Sequence, residues 1–488
     1  MRIYDLHNLR FTIDVRLGSI VQFIKSSIIR TSSIVNSSIF LVLIPYSLFL
    51  TLLGCQFRED RFVDFTDIEG AKGLKFQVIS QHETDLSAGL PYDCYLPDGT
   101  RISEYSENDG MSATPSLNDE NGVPGPRRTS SVTGTAIVQE LLKYGKQDKV
   151  IEIVGTYPSV DGEWHDVTLS GKVMLPKGRK PKRLILVSHY TVGSNAEAPS
   201  NCFSLEGVLV KLGYGLIIPD YRGYGVTADQ VHPYLVMMET AQNVTDMYFA
   251  VREWLKAVDM SPEYEDIYLM GYSQGGANTM AVEYLCELMY GDPQYPEFYI
   301  PIHRVFAGGG PYDVKATFER FITTDVAGYP VAVPLVLQGM IKGNNLSVKM
   351  EDIMQPWLCE KMDEWINSKK YTTAQINGFI GTKVTHELLT QEAMDQKGDK
   401  VAELYKAMTE NSVISYNWQP QSSVYLLHSM DDETVPYTNA SNAKAKWANA
   451  NITYNFGHYG THVKTCLRFI FSVQTLLIAE EEERRQYE

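Results

Sequence analysis

Short runs rich in aliphatic and aromatic residues recur through the later part of the chain, at 184–188, 216–218, 267–270, 304–307, 424–428 and 452–456. Each is long enough for a strand and too short for a helix, as expected of strands in a parallel sheet. Two further segments, 150–156 and 167–174, alternate apolar with polar positions, the pattern of strands with one wet face. Helical spacing fills the gaps between runs. Ala241, Val244, Met247, Tyr248, Val251 and Leu255 share one face of 240–257, and Ala277, Met280, Ala281, Tyr284 and Leu285 recur at helical intervals after the 267–270 run. A last helix is expected over 462–479. Strands alternating with helical or loop crossovers predict an α/β fold with a mostly parallel central sheet and helices on both faces.

Two stretches break this alternation. Residues 57–148 are poorly patterned, with a polar tract at 103–131 rich in Ser, Asn, Asp, Gly and Pro that reads as a loop, and one short helix is expected at 135–144. Between 312 and 420 no strand pattern is found. Helical pieces at 314–322, 348–366 and 401–409 predict a helical block inserted between sheet strands, placed to cover the sheet's carboxyl edge. Its aromatics, among them Phe318, Phe321, Trp357, Trp365 and Phe379, are candidates for the lining of a pocket beneath the block or for the block's own core.

The 488 residues are 44% hydrophobic and 21% charged, an ordinary globular balance. The formal charge of −16, without a clustered basic face, disfavours nucleic-acid partners. Six scattered cysteines without a C-x-x-C pair suggest neither a disulfide scaffold nor a zinc site, and no metal or cofactor is expected. Near the start, an apolar run at 39–53 follows Arg16, Lys25 and Arg30 and precedes Gly54-Cys55. It is too short for a comfortable membrane span and fits a signal-peptide core, so an exported chain is expected. Leu52-Leu53-Gly54-Cys55 resembles the bacterial lipobox, which implies lipidation at Cys55 and attachment to a membrane.

The candidate chemistry begins where the 267–270 run ends in Gly271-Tyr272-Ser273-Gln274-Gly275. A serine on the sharp turn between a strand and a helix is forced into a strained conformation, and only small neighbours let the chains pass so closely. Gly271 and Gly275 meet that need, and the Gln274 amide, opening the helix, points at negative charge forming beside Ser273. A serine hydroxyl needs a base, and the base needs an anion to fix its tautomer. Asp431, Asp432 and Glu433 follow the 424–428 run, where side chains reach the sheet's carboxyl edge. His458 and His462 follow the last strand. His462 is favoured as base, because the first turn of a helix fixes its backbone, and His458 is the alternative. The loop 189–191 after the 184–188 run is placed to give a second oxyanion donor.

Together these residues resemble the α/β-hydrolase superfamily from about Val150 to the C-terminus. The strings Ser188-His189-Tyr190-Thr191, Ser194-Asn195-Ala196-Glu197-Ala198-Pro199-Ser200, Pro219-Asp220-Tyr221-Arg222-Gly223-Tyr224-Gly225 and His232-Pro233-Tyr234-Leu235 look like the secretory-lipase and esterase group. The resemblance implies an α/β-hydrolase fold with an inserted helical cap and a Ser-Asp-His triad that cleaves carboxylic esters. Its His-Gly-x-x-Asp-x-x-Val-Pro pattern falls on His428 to Pro436 and selects Asp432, with Ser429 in place of the usual Gly. Its Gly-x-His pattern selects His462, and its His-Gly-x pattern gives the second oxyanion amide to Thr191, with Tyr190 in the glycine position. The implied organisation is a leader at 1–55, a loop-rich extension at 56–148, hydrolase core at 149–311, cap at 312–420 and the remaining core at 421–488. A small-molecule or lipid ester is the expected substrate. The rival readings are a serine peptidase of the prolyl-oligopeptidase type and a non-catalytic binding protein on the same fold.

Overall fold

The computed structural model describes residues 63–105, 134–290 and 298–487. The expected leader with Cys55, and most of the polar tract, lie outside them. Nine strands form one sheet: β1 (Gln77–Asp85), β2 (Lys149–Val160), β3 (Asp166–Pro176), β4 (Leu184–Ser188), β5 (Gly215–Pro219), β6 (Ile267–Tyr272), β7 (Ile302–Gly308), β8 (Val424–Ser429) and β9 (Ile452–Gly457). Their order is β1-β2-β3-β5-β4-β6-β7-β8-β9. The pairs β1/β2, β2/β3 and β3/β5 are antiparallel, and the rest are parallel. The α-helices of eight residues or more are α1 (Gly134–Lys143), α2 (Met237–Ala257), α3 (Gln274–Met289), α4 (Val314–Thr324), α5 (Ala332–Gly343), α6 (Thr373–Ile380), α7 (Asp399–Glu410), α8 (Thr438–Lys446) and α9 (His462–Tyr487).

Alternate residues of the central strands enter different apolar clusters. Ile267 and Leu269 pack with Val244, Val251, Met280 and Ala281 of α2 and α3. Tyr268 and Met270 pack with Leu467, Ile470 and Val473 of α9 and Leu141 of α1. Helices therefore cover both faces, which is why the central strands are apolar at consecutive positions. No helix among the described residues is long and apolar enough to cross a membrane.

Strands β2 and β3 correct the expectation of a wet face. The polar positions that produce their alternation include Glu152 and Lys172, each 1% exposed, whose side chains pair with one another. Lys172 Nζ also donates to the Cys202 carbonyl at 2.6 Å. The alternation thus records a buried ion pair rather than solvent. The poorly patterned N-terminal segment supplies an edge strand, β1, whose nine residues are all exposed or half-buried and so carry no hydrophobic period. Between β7 and β8 the chain is helical apart from turns and isolated bridges. The helix expected over 348–366 is broken into Met350–Ile353, Pro356–Cys359 and a π-helical turn Met362–Asn367. Pro356 has no N–H to continue the first of these and opens the second.

Candidate active site

β6 ends at Tyr272 and α3 begins at Gln274, with Ser273 between them at φ 58°, ψ −126°. A non-glycine residue there is strained, and the surroundings hold it by close approach. A Cβ on Gly275 would lie 1.9 Å from the Ser188 carbonyl oxygen of β4, and one on Gly271 would lie 2.3 Å from the Gly275 carbonyl oxygen. The Ser273 amide donates to the Gly308 carbonyl at 2.9 Å, tying the turn to β7.

The turn after β8 and the start of α9 meet this serine. Asp432 Oδ1 accepts the Thr434 and Val435 amides at 2.9 and 2.8 Å, which aims Oδ2 at His462 Nδ1, 2.7 Å away. On the far side of the ring, Nε2 is 2.8 Å from Ser273 Oγ. With Nδ1–H donated to the carboxylate, Nε2 presents a lone pair to the serine hydroxyl. The imidazole backbone is gripped as well: Glu433 Oε2 accepts the His462 amide at 3.0 Å, and Tyr272 Oη donates to the His462 carbonyl at 2.7 Å. Burial works to lower the His462 pKa, but the charge of Asp432, its hydrogen bond and the charge of Glu433 outweigh it and raise the value above the ordinary 6.5. Burial likewise works to raise Asp432, and the facing imidazolium with its hydrogen bond leaves the carboxyl below its usual range.

His458 and Asp431 stand apart from this site. They pair with each other at 2.7 Å, with side chains 75% and 44% exposed. The two acid–histidine pairs left open by the residue pattern thus separate into a buried pair at Ser273 and a solvated one.

On the other flank, Thr191 and Ser273 line the same cavity, and Thr191 Oγ1 is 2.7 Å from Tyr234 Oη. The Gln274 amide is among the first-turn donors of α3 that no carbonyl of the helix can take. Its side chain is fixed by a residue the sequence reading gave no role: Gln274 Nε2 donates to His232 Nε2 at 2.9 Å, while His232 Nδ1 donates to the Arg222 carbonyl at 2.8 Å. Burial drives the His232 pKa down, which keeps the ring neutral and able to accept. His189 is buried against backbone carbonyls, 2.6 Å from Tyr190 O and 3.2 Å from Asp220 O, and its ring stacks on Tyr221. These contacts hold the loop. Tyr190, standing where the family pattern has glycine, turns its side chain away, and its hydroxyl donates to the Tyr95 carbonyl. The bulk is accommodated by the 91–105 segment. The signal for Glu433 was present in the acidic triplet, whereas nothing local marks His232 as the partner of Gln274.

Two cavities meet at His462. One of about 30 Å³ holds Ser273 and is walled by Leu235, Phe321, Ala332, Val336 and Val435. The other, of about 410 Å³, is lined by Asp98, Asn377, Thr382, Lys383 and Glu433 among others. Of the five aromatics named in the helical block, Phe321 lines the small cavity, Phe318 is buried, Trp365 and Phe379 pack on each other with ring centroids 5.5 Å apart, and Trp357 is exposed. Among the described residues no group of three or more His, Cys, Asp or Glu side chains is arranged to hold a metal ion.

A family model described as secretory lipase matches residues 200–467, more than half of the 488-residue chain. Among solved structures, the rice cell wall degrading esterase LipA from Xanthomonas oryzae superposes with a TM-score of 0.59 at 19% identity, covering 72% of this chain and 94% of its own. A protein from Legionella pneumophila described as a hydrolase gives a TM-score of 0.60 at 18% identity, over 70% of this chain and 93% of its own. At these identities the likeness is one of fold. No curated protein matches the chain in sequence.

Proposed function

Because the chain belongs to the secretory lipase family of α/β-hydrolases, we propose that it hydrolyses carboxylic esters through an acyl-enzyme on Ser273, with His462 as base and Asp432 as the orienting acid. The observation that carries this reading is the continuous line Asp432–His462–Ser273, with contacts of 2.7 and 2.8 Å in a buried site. Ser273 Oγ attacks the ester carbonyl carbon while His462 Nε2 takes the hydroxyl proton. The carbonyl oxygen becomes an oxyanion beside the Gln274 and Thr191 amides, donors that need no reorganisation as the charge forms. The C–O bond to the alcohol then breaks, and the proton on Nε2 passes to the departing alkoxide. Water, deprotonated in turn by His462, releases the acid and restores the serine. Asp432 stays ionised throughout and stabilises the imidazolium.

In this reading residues 312–420 serve as the cap, since Phe321, Ala332 and Val336 wall the cavity at Ser273. Export is in keeping with the secretory family, and cleavage of the leader before Cys55, with lipidation of the cysteine thus exposed, completes the proposal. The test is to offer the purified protein p-nitrophenyl acetate and a proline p-nitroanilide. Ester cleavage without anilide cleavage is expected. Comparable anilide cleavage would favour the peptidase, and inertness to both substrates and to a fluorophosphonate would favour a binding protein.

A further inference from the structure

The two cavities that meet at His462 differ in size and chemistry, and the reaction geometry says which part of an ester each one takes. His462 must hand its proton to the oxygen of the departing alcohol, so the alcohol lies on the imidazole's side of the scissile bond. The larger cavity reaches His462 without being lined by Ser273; the smaller one holds Ser273 and Thr191. The alcohol therefore occupies the larger space, and the acyl group the smaller.

The small cavity offers about 30 Å³, roughly the room of two water molecules. Its walls Leu235, Phe321 and Val336 are at most 5% exposed, so a long acyl chain meets packed side chains. An acetyl group fits with modest adjustment, and each further methylene must displace packed side chains.

The large cavity presents donors and acceptors together. Asp98 Oδ1 is taken by the Thr100 amide at 3.0 Å, which leaves Oδ2. Glu433 Oε2 is taken by the His462 amide, which leaves Oε1. Asn377 Oδ1 accepts the Val331 amide at 2.8 Å, so its NH₂ group is the part that can donate. Thr382 Oγ1 donates to Glu387 Oε2 at 2.5 Å and accepts the Val384 amide at 3.1 Å, which leaves it one lone pair, and Tyr329 Oη donates to the Pro97 carbonyl at 3.1 Å and can still accept. Lys383, an exposed residue, lines the cavity as well. A hydrocarbon alcohol would desolvate these groups without return. A phosphate-bearing alcohol would face two carboxylates, and a quaternary ammonium, though attracted by them, makes no hydrogen bond with Asn377, Thr382 or Tyr329. Hydroxyl groups, which both donate and accept, match the whole set.

We propose that the substrate is a short-chain acyl ester of a neutral, hydroxyl-rich alcohol such as a sugar, with the alcohol held by Asp98, Asn377, Lys383 and Glu433. This rests on the ester-hydrolase reading and narrows it. The test compares acid release from 6-O-acetylglucose, cyclohexylmethyl acetate and 6-O-octanoylglucose, with p-nitrophenyl acetate as control. The sugar acetate should exceed both the carbocyclic acetate and the octanoate at least tenfold in kcat/KM. Lys383→Met should narrow the first ratio severalfold, chiefly through KM of the sugar ester. If p-nitrophenyl acetate is cleaved but cyclohexylmethyl acetate or the octanoate equals the sugar acetate, this proposal falls and the hydrolase reading stands. If none of the esters is cleaved, both fall.

Discussion

Replacing Asp432 by Asn changes one atom pair at the centre of the site. The side chain keeps its Oδ1 contacts to the Thr434 and Val435 amides at 2.9 and 2.8 Å, so the turn after β8 is held as before. At the Oδ2 position, 2.7 Å from His462 Nδ1, a donor NH₂ replaces an acceptor. The imidazole must then present a lone pair at Nδ1, which puts its proton on Nε2, facing Ser273 Oγ at 2.8 Å. A protonated Nε2 cannot take the serine proton. The loss expected for this wrong tautomer is on the order of 10⁴ in kcat, or about 5.4 kcal/mol of barrier. Asp431→Asn touches only a solvated pair with His458 and should change kcat less than about twofold. The assay is p-nitrophenyl acetate hydrolysis at saturating substrate, with circular dichroism melts to show that both variants fold. The residual activity of the Asp432 variant should also show an acid limb shifted to lower pH, because the carboxylate that raises the His462 pKa is gone. The reverse ranking, with Asp431→Asn crippled and Asp432→Asn within tenfold of wild type, would refute the reasoning.

His462→Ala should abolish turnover while His458→Ala keeps near wild-type kcat, since His458 is 75% exposed at its side chain and paired only with Asp431; a live His462 variant beside a dead His458 variant would reverse the assignment. In the wild type, log kcat/KM against pH should fall on the acid side around a pKa above 6.5, because the base must be neutral and Asp432 and Glu433 raise it. The same shifts set stability: the His462 contribution is complete below the unfolded value of 6.5 and is lost as pH rises through the raised folded value, which urea melts on either side can read. The Asp432 contribution is complete above 3.8 and is lost as pH falls through the lowered folded value. Gly275→Ala puts a Cβ 1.9 Å from the Ser188 carbonyl oxygen, so strand and helix must part by about 1.5 Å to reach the 3.4 Å of ordinary contact. About 1–3 kcal/mol of stability and at least 10²-fold in kcat should be lost, read as Tm and ester turnover; unchanged Tm and turnover would contradict the elbow packing.

The parts of the fold legible in the sequence are those whose burial is uniform. β4, β5 and β6 are buried at every position, and their apolar runs mark them directly. β1 is invisible because it lies at the sheet edge with no buried residue, so a hydrophobic period had nothing to record. Glu152 and Lys172 misled because a pattern of residue types cannot distinguish a charge in water from a charge paired in the core. Helix α5 was missed for the opposite reason: ten of its twelve residues are buried, so it shows no polar face to set the period. At the site, Ser273 was legible because its two close-packed glycines leave a local signature. The acidic triplet marks Glu433 as a candidate, but its contact with His462 spans 29 positions and that of Gln274 with His232 spans 42, and no local pattern encodes either contact.

The most direct measurement is covalent labelling of the folded protein with a fluorophosphonate, followed by peptide mass spectrometry. An activated serine beside His462 predicts a single phosphonylated residue, Ser273, with ester hydrolysis lost in step with labelling and no labelling of a folded Ser273→Ala variant. An unlabelled Ser273, or hydrolysis that persists after Ser273 is fully modified, would contradict the account.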